Sequence, residues 1–179
     1  MDEIVLAALR KWPNVPACYG WLALDARGDW YLRDASAQAA GPFPAVKGSR
    51  IEHRHLRAFI ERNYAADDAG CWFFQNGPQR VYVELEAAPW VWRVGSSGGA
   101  LQVHDHCGAP AEVQACWLDE HGRLFLAAAR GLGIVHTQDM VDAASAIDAG
   151  LWQPQDVRFA DLPERFGYRL RPSAELHRV

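Results

Sequence analysis

Two nine-residue stretches constrain this chain more than anything else in it. Leu24-Asp-Ala-Arg-Gly28-Asp-Trp-Tyr-Leu32 and Leu118-Asp-Glu-His-Gly122-Arg-Leu-Phe-Leu126 share the pattern Leu-Asp-x-x-Gly-x-(Trp/Leu)-(Tyr/Phe)-Leu. Apolar runs on either side of an Asp-x-x-Gly tetrad describe a β-hairpin with glycine in the turn. Each copy is followed by a connection and a helical pattern, so the order of elements repeats as well. The expected fold class is therefore α+β, with two similar lobes, each a small, mostly antiparallel sheet packed with a helix.

The other elements follow from periodicity and punctuation. Val5, Leu9 and Trp12 recur at helical spacing after the cap candidate Asp2, and Pro13 ends that helix. The Ala-, Gly- and Pro-rich stretch 35–48 reads as a loop. Ser49 and Glu52 have capping-box spacing and predict a helix over about residues 50–64, ended by Asp67, Asp68 and Gly70. Cys71–Gln75 and Val81–Leu85 flank Asn76-Gly77, which suits a type I′ hairpin turn. Trp90–Val94 resumes a strand after Pro89. Gly95-Ser-Ser-Gly-Gly99 is a short, solvated boundary candidate, dividing an N-terminal lobe, 1–95, from a C-terminal lobe, 96–179. Beyond it, Leu101–His106 alternates like a strand. Gly133–His136 leads into a helix over about residues 137–148 with Thr137 as N-cap. The last thirty residues are expected to wrap the second lobe as extended segments.

Composition narrows the function classes. Half of the residues are hydrophobic, 22% are charged and eight are Trp, which is a globular composition able to bury a substantial core. Residues 1–95 hold 11 Lys/Arg and 11 Asp/Glu, whereas residues 96–179 hold 7 and 11, so the second half carries the whole excess of −4. Only two lysines occur, and no basic cluster is available to displace phosphate counterions, so nucleic acid is not expected as a partner. The acidic second half disfavours an anionic membrane surface, and no run of 18 apolar residues is present. Cys18, Cys71, Cys107 and Cys116 form no Cys-x-x-Cys pair, and no signal-like segment opens the chain. Reduced thiols in a cytosol are the simplest expectation, with Cys71 a core residue beside Trp72 and Phe73.

Several motifs invite a chemical reading. Gly95-Ser-Ser97-Gly-Gly99 matches Gly-x-Ser-x-Gly, but a nucleophile elbow needs a helix next, and a strand pattern follows. His104-Asp105-His106-Cys107 is the densest group of ligand-type residues. On a strand, His104 and His106 would share a face, with Cys116 or His121 able to complete a zinc set. An exposed polar strand end is the competing reading, and no metal is assigned. His53 and His55 read as helix-surface residues. His136 reads as a hydrogen-bonded residue closing the sheet, at a strand end where pockets also form. Gly131-Leu-Gly133 lacks the rest of a dinucleotide fingerprint. The candidate ligand-binding set is Gln75, Asn76, Gln79, Arg80, Trp90, Trp92 and Arg93. There two guanidinium forks could grip a carboxylate or stack on a ring, and turn amides add donors. The competing reading is a core Trp pair with arginines satisfied by Glu84 and Glu86.

Gln75-Asn-Gly-Pro-Gln-Arg-Val-Tyr-Val-Glu-Leu-Glu86 with Pro89-Trp-Val-Trp-Arg93 resembles a proteobacterial family known only as a domain of unknown function. Lys11–Pro16, Tyr19-Gly-Trp21, Val135–Asp139 and Phe166-Gly-Tyr168 extend the resemblance over nearly the whole chain. The order of hairpin, helix and hairpin is similar to that of a second uncharacterised bacterial family of repeated α+β motifs, for which ligand-linked signalling has only been suggested. Neither resemblance implies an activity, a cofactor or a site. The expected function is a non-enzymatic module of a bacterial cytosol binding a small molecule or protein, with no catalytic residue and no cofactor assigned. A metal-dependent or His-based hydrolase using the His104/His106 region is the alternative, and a structural part of an oligomer is a third reading.

Overall fold

The computed structural model describes residues 1–97 and 100–177. The chain order is α1 (Glu3–Lys11), β1 (Cys18–Leu24), β2 (Trp30–Leu32), α2 (Ala35–Ala40), β3 (Ser49–Arg50), α3 (Arg54–Arg62), β4 (Tyr64–Ala66), β5 (Trp72–Asn76) and β6 (Gln79–Leu85). There follow β7 (Trp90–Ser97), β8 (Ala100–Asp105), β9 (Ala115–Asp119), β10 (Leu124–Ala128), β11 (Gly131–Val135), α4 (Met140–Asp148), β12 (Gln155–Val157) and α5 (Leu162–Phe166). These elements build two six-stranded sheets, ordered β3-β2-β1-β6-β5-β4 and β12-β9-β10-β11-β7-β8. The fold is thus α+β with two similar lobes. Each sheet is mostly antiparallel, with parallel pairs at β1–β6, β7–β11 and β9–β12.

The compact units run Met1–Asp25, Asp29–Glu86 and Gly167–Val179 for the first, and Ala26–Gly28 and Ala87–Phe166 for the second. The glycine-serine stretch therefore runs through the β7–β8 hairpin of the second unit, with residues 98 and 99 outside the described residues. Ser97 is followed by strand β8, so the Gly-x-Ser-x-Gly match precedes no helix among the described residues.

In the first unit, period-two alternation sorts β6. Val83 and Leu85 are fully buried on one face, and Arg80, Tyr82 and Glu84 share the other. α3 buries Ile60 and sets Phe59 edge-on to Phe74 of β5, with ring centroids 5.4 Å apart. In the second unit β7 lies inside the sheet, and Trp90, Val91 and Trp92 are buried in succession. α4 packs on β7 and buries Ala143 and Ala146, small residues that allow close approach.

Several local expectations are corrected. Residues 35–40 form α2, because Asp34 accepts the Ala37 N–H at 2.8 Å and alanines propagate the turn. Ser49 sits in β3, and α3 starts only at Arg54, capped by the His53 ring. Asp67 and Gly70 turn β4 into β5 rather than ending a helix. Asn76 pairs with Gln79, so Gly77-Pro78 is the hairpin loop. Gly77 has φ +57°, and the proline ring holds the next φ negative, so a type I′ turn is impossible and the order is that of type II′. His136, not Thr137, caps the 3-10 turn Thr137–Asp139 that opens α4. The segment from Gly167 returns to the first unit instead of wrapping the second.

Candidate functional site

The Asp-x-x-Gly pattern occurs four times among the described residues, and each copy folds alike. In Asp67–Cys71, Asp105–Ala109 and Asp119–Arg123 the first and fifth residues are bonded in both directions or across the turn. The aspartate Oδ1 accepts the N–H groups two and four residues on at 2.8–3.0 Å. In the fourth copy, Asp25 Oδ1 accepts the Asp29 N–H at 2.9 Å. The glycines Gly28, Gly70, Gly108 and Gly122 take φ of +73° to +88°, a region closed to most side chains. Each second oxygen holds a further donor. Asp25 takes Lys47 at 2.9 Å, Asp67 the Tyr82 hydroxyl at 2.9 Å, Asp105 Arg130 at 2.5 Å, and Asp119 Arg123 at 2.7 Å.

This geometry absorbs most of the residues that look chemical in sequence. Asp105 is a buried turn residue. His104 lies on β8 opposite Arg93, whereas His106 lies inside the turn, where its Nδ1 accepts the Val91 N–H at 3.3 Å. The two imidazoles therefore do not share one strand face as expected. Among the described residues no group of three or more His, Cys, Asp and Glu side chains is arranged to hold a metal ion. His53 Nδ1 accepts the Leu56 N–H, and His136 Nδ1 accepts the Gln138 N–H at 3.1 Å while its backbone N–H bonds Trp92. Burial first, and then the Asp67 charge, pushes the Cys71 thiol up to about 11. Burial and the bond to Asp67 push the Tyr82 phenol up to about 12.

The expected ligand-binding residues divide between the units. Gln75, Asn76, Gln79 and Arg80 lie on the β5–β6 hairpin of the first. Gln75 is buried and donates to Gly77 O at 3.0 Å, and Gln79 donates to Pro16 O at 3.0 Å. Asn76 and Arg80 are exposed, and the Arg80 guanidinium lies 4.5 Å from the Phe73 ring centroid. Trp90, Trp92 and Arg93 lie on β7 of the second unit. Trp90 donates to Arg130 O at 2.8 Å and Trp92 to Leu126 O at 2.7 Å, and both rings are core. Arg93 forms a two-pronged pair with Asp139 at 2.6 and 3.0 Å, rather than with Glu84 or Glu86. Burial opposes ionisation of Asp139, but Arg93 and the Val94 N–H outweigh it and hold the carboxyl below its usual range.

Described residues of the second unit also line open clefts. One, of about 450 Å³, is lined by Leu118, Asp119, Glu120 and, from β12 to α5, Asp156, Val157, Arg158, Asp161 and Arg165. Arg158 and Arg165 have no carboxylate within ion-pair distance among the described residues, and Arg165 lies over Trp117 at 5.1 Å. Sequence reasoning missed this cleft because its residues come from stretches about forty positions apart, with no motif at either. Another, about 300 Å³, is lined mainly by residues 113–116 and 150–155, with the glutamines Gln114, Gln153 and Gln155.

The fold and its turns define an α+β protein of two six-stranded sheets tied by repeated Asp-x-x-Gly turns. Residues 1–173 match the family described as "Protein of unknown function (DUF2946)", and the chain belongs to that family. It is similar to the crystal structure of a DUF1285 family protein from Shewanella baltica OS155, at 17% identity and a TM-score of 0.47, over 70% of this chain and 91% of that one. No curated protein matches the sequence. No helix among the described residues is long and apolar enough to cross a membrane.

Proposed function

We propose that this chain is a non-enzymatic binding module whose ligand, a small molecule or a short peptide, seats in the cleft between β9, β12 and α5. The observation that carries this reading is the pair of guanidiniums, Arg158 and Arg165, without a carboxylate partner among the described residues on the wall of a cleft of about 450 Å³. Arg33, Arg50, Arg62, Arg93, Arg123 and Arg130 are all paired. Glu120, Asp156 and Asp161 line the same cleft, so the occupant that fits both signs of charge carries an anionic group and an amine. The commitment of Asp25, Asp67, Asp105, Asp119, His53 and His136 to turns and caps favours binding over catalysis. Four free thiols suit a reducing cytosol.

Thermal-shift screening against amino acids and dipeptides tests the reading. A stabilising hit is expected, and Arg158→Ala should abolish the shift without lowering the melting temperature of the free protein. A screen without hits, or a hit that Arg158→Ala leaves intact, counts against this cleft. A second reading keeps the β5–β6 hairpin, because the exposed Arg80 guanidinium lies over the Phe73 ring beside the Tyr82 phenol and offers a fork that fits a carboxylate. Loss of binding in Arg80→Ala instead of Arg158→Ala would select it.

A further inference from the structure

We infer that the open edge of the second sheet, strand β12, is an addition site for an extended peptide whose free C-terminal carboxylate is held by Arg158. This ligand class rests on the Arg158/Arg165 cleft being the binding site. An open sheet has two outer strands, and each presents a row of backbone groups to be covered or paired. The chain covers the β8 edge itself. Ala111 N–H donates to Val103 O at 2.8 Å, Asp105 N–H donates to Ala109 O at 2.8 Å, and His104 forms a bridge with Pro110. Gln155, Asp156 and Val157 of β12 pair with β9 on one side, and no other backbone group among the described residues bonds to them. This edge is held in place without a ligand. Ahead of it Leu151 N–H donates to Ala146 O at 3.0 Å and Trp152 is buried, and after it Phe159 N–H donates to Glu120 at 2.8 Å. A strand fixed at both ends accepts a partner strand at a lower ordering cost.

The clefts described above lie at opposite ends of the β9–β12 pair. The one lined by Cys116 and Gln155 is at its start, and the one lined by Asp119, Val157 and Arg158 is at its end. At about 3.3 Å per residue, a segment reaching from one into the other is roughly 16 Å long, or about five residues. The two ends differ in chemistry. Gln114, Gln153 and Gln155 bring carboxamides to the first cleft, and no charged side chain lines it with them. Each carboxamide offers both donors and an acceptor, which complements peptide groups rather than an ion. At the other end Arg158 is exposed and has no carboxylate within ion-pair distance among the described residues, and its fork fits a carboxylate with two bonds. This charge complementarity places the peptide's C-terminus beyond Val157, so the peptide runs parallel to β12. Asp156, exposed in the middle of the edge, disfavours an acidic side chain beside it.

The test is fluorescence anisotropy of the full chain with N-terminally fluorescein-labelled pentapeptides that alternate Val or Thr with varied neutral residues and end in a free carboxylate. The expected result is binding roughly tenfold or more tighter than that of labelled dipeptides, weakened about tenfold by Arg158→Ala and by amidation of the peptide's C-terminus. Gln153→Leu/Gln155→Leu should weaken it about three- to tenfold. N-methylation of alternate peptide nitrogens should abolish binding in one phase of the alternation and spare it in the other. Hydrogen exchange of the complex should show new protection within residues 155–157. Dipeptides that bind through Arg158 while pentapeptides bind no tighter would overturn strand addition and leave the cleft reading standing. Binding by neither overturns both. Pentapeptide binding that is indifferent to Arg158→Ala, or that protects no amide of β12, overturns the inference as well. A concentration-dependent dimer that protects those amides would assign the edge to a second copy and overturn the peptide.

Discussion

Single residues show how closely the second sheet is packed. A Cβ on Gly133 would lie 2.5 Å from Trp92 Nε1, 2.7 Å from Trp90 O and 2.8 Å from Trp90 Cβ. Two of these atoms belong to a backbone and a core Cβ that cannot swing away, so the glycine is what lets the Trp92 indole cross β11 to reach Leu126 O. Gly133→Ala should cost about 2–3 kcal/mol through overpacking, read from urea unfolding. Gly95→Ala is the matched control, since nothing lies within 4 Å of its Cβ and its φ is ordinary. A change within about 0.5 kcal/mol is expected there. Asp139 belongs to the same scale. Its carboxyl is held below the usual aspartate value of about 3.9, so its contribution is complete above that value and is lost as the pH falls through the lower folded one. Asp139→Asn should therefore flatten the decline of stability below about pH 4 while lowering stability at pH 7.

At the scale of elements, the Asp-x-x-Gly turn is the recurring part. One oxygen organises the turn and the other reaches a cation or phenol, which fastens the Asp25, Asp67 and Asp105 turns to a second segment and clamps the Asp119 turn on its own Arg123. Asp105→Ala removes the two N–H acceptances of Oδ1 and leaves the Arg130 charge without its partner. A loss of about 2 kcal/mol is expected by urea unfolding, mostly from the turn N–H groups left without an acceptor, since the Arg130 side chain is 42% exposed and its charge stays solvated. Asp119→Ala should behave alike, because the same bonds recur there with Arg123. Two of the four turns are visible in sequence because apolar runs flank them at hairpin spacing. The other two hide behind competing meanings. Asp67-Asp-Ala-Gly70 resembles a helix end, and His104-Asp-His-Cys107 resembles a ligand cluster.

For the whole molecule, the return of the C-terminal segment has the largest consequence. Leu170 O accepts the Leu85 N–H at 2.9 Å, Arg169 N–H donates to Gly70 O at 3.0 Å, and Tyr168 is 3% exposed. Gly70 is required at this crossing, since a Cβ there would meet Gly167 O at 2.3 Å. Removal of residues 167–179 should raise amide exchange along β6 and the β4–β5 turn while leaving β9–β11 protected. Thiol chemistry gives a second global readout. Cys71 and Cys116 are buried with their thiols pushed up by burial, whereas Cys18 and Cys107 are partly accessible. Two cysteines should be alkylated in the native protein at pH 8, and four after denaturation.

The chain by itself determined part of its local structure. Hairpins at 22–32, 71–85 and 118–126, the first helix and the α+β class follow from periodicities of two and 3.6 and from glycines where φ must be positive. Tertiary structure decided what no local pattern encodes. It set the parallel β1–β6 and β7–β11 pairings, the burial of Trp90 and Trp92, and the pairing of Arg93 with Asp139 rather than with Glu84 or Glu86. It also turned histidines into caps and brought Arg158 and Arg165 to the wall bearing Glu120. Pairings between distant segments are fixed by which faces bury together, and a polar side chain's role depends on partners that arrive from elsewhere in the chain.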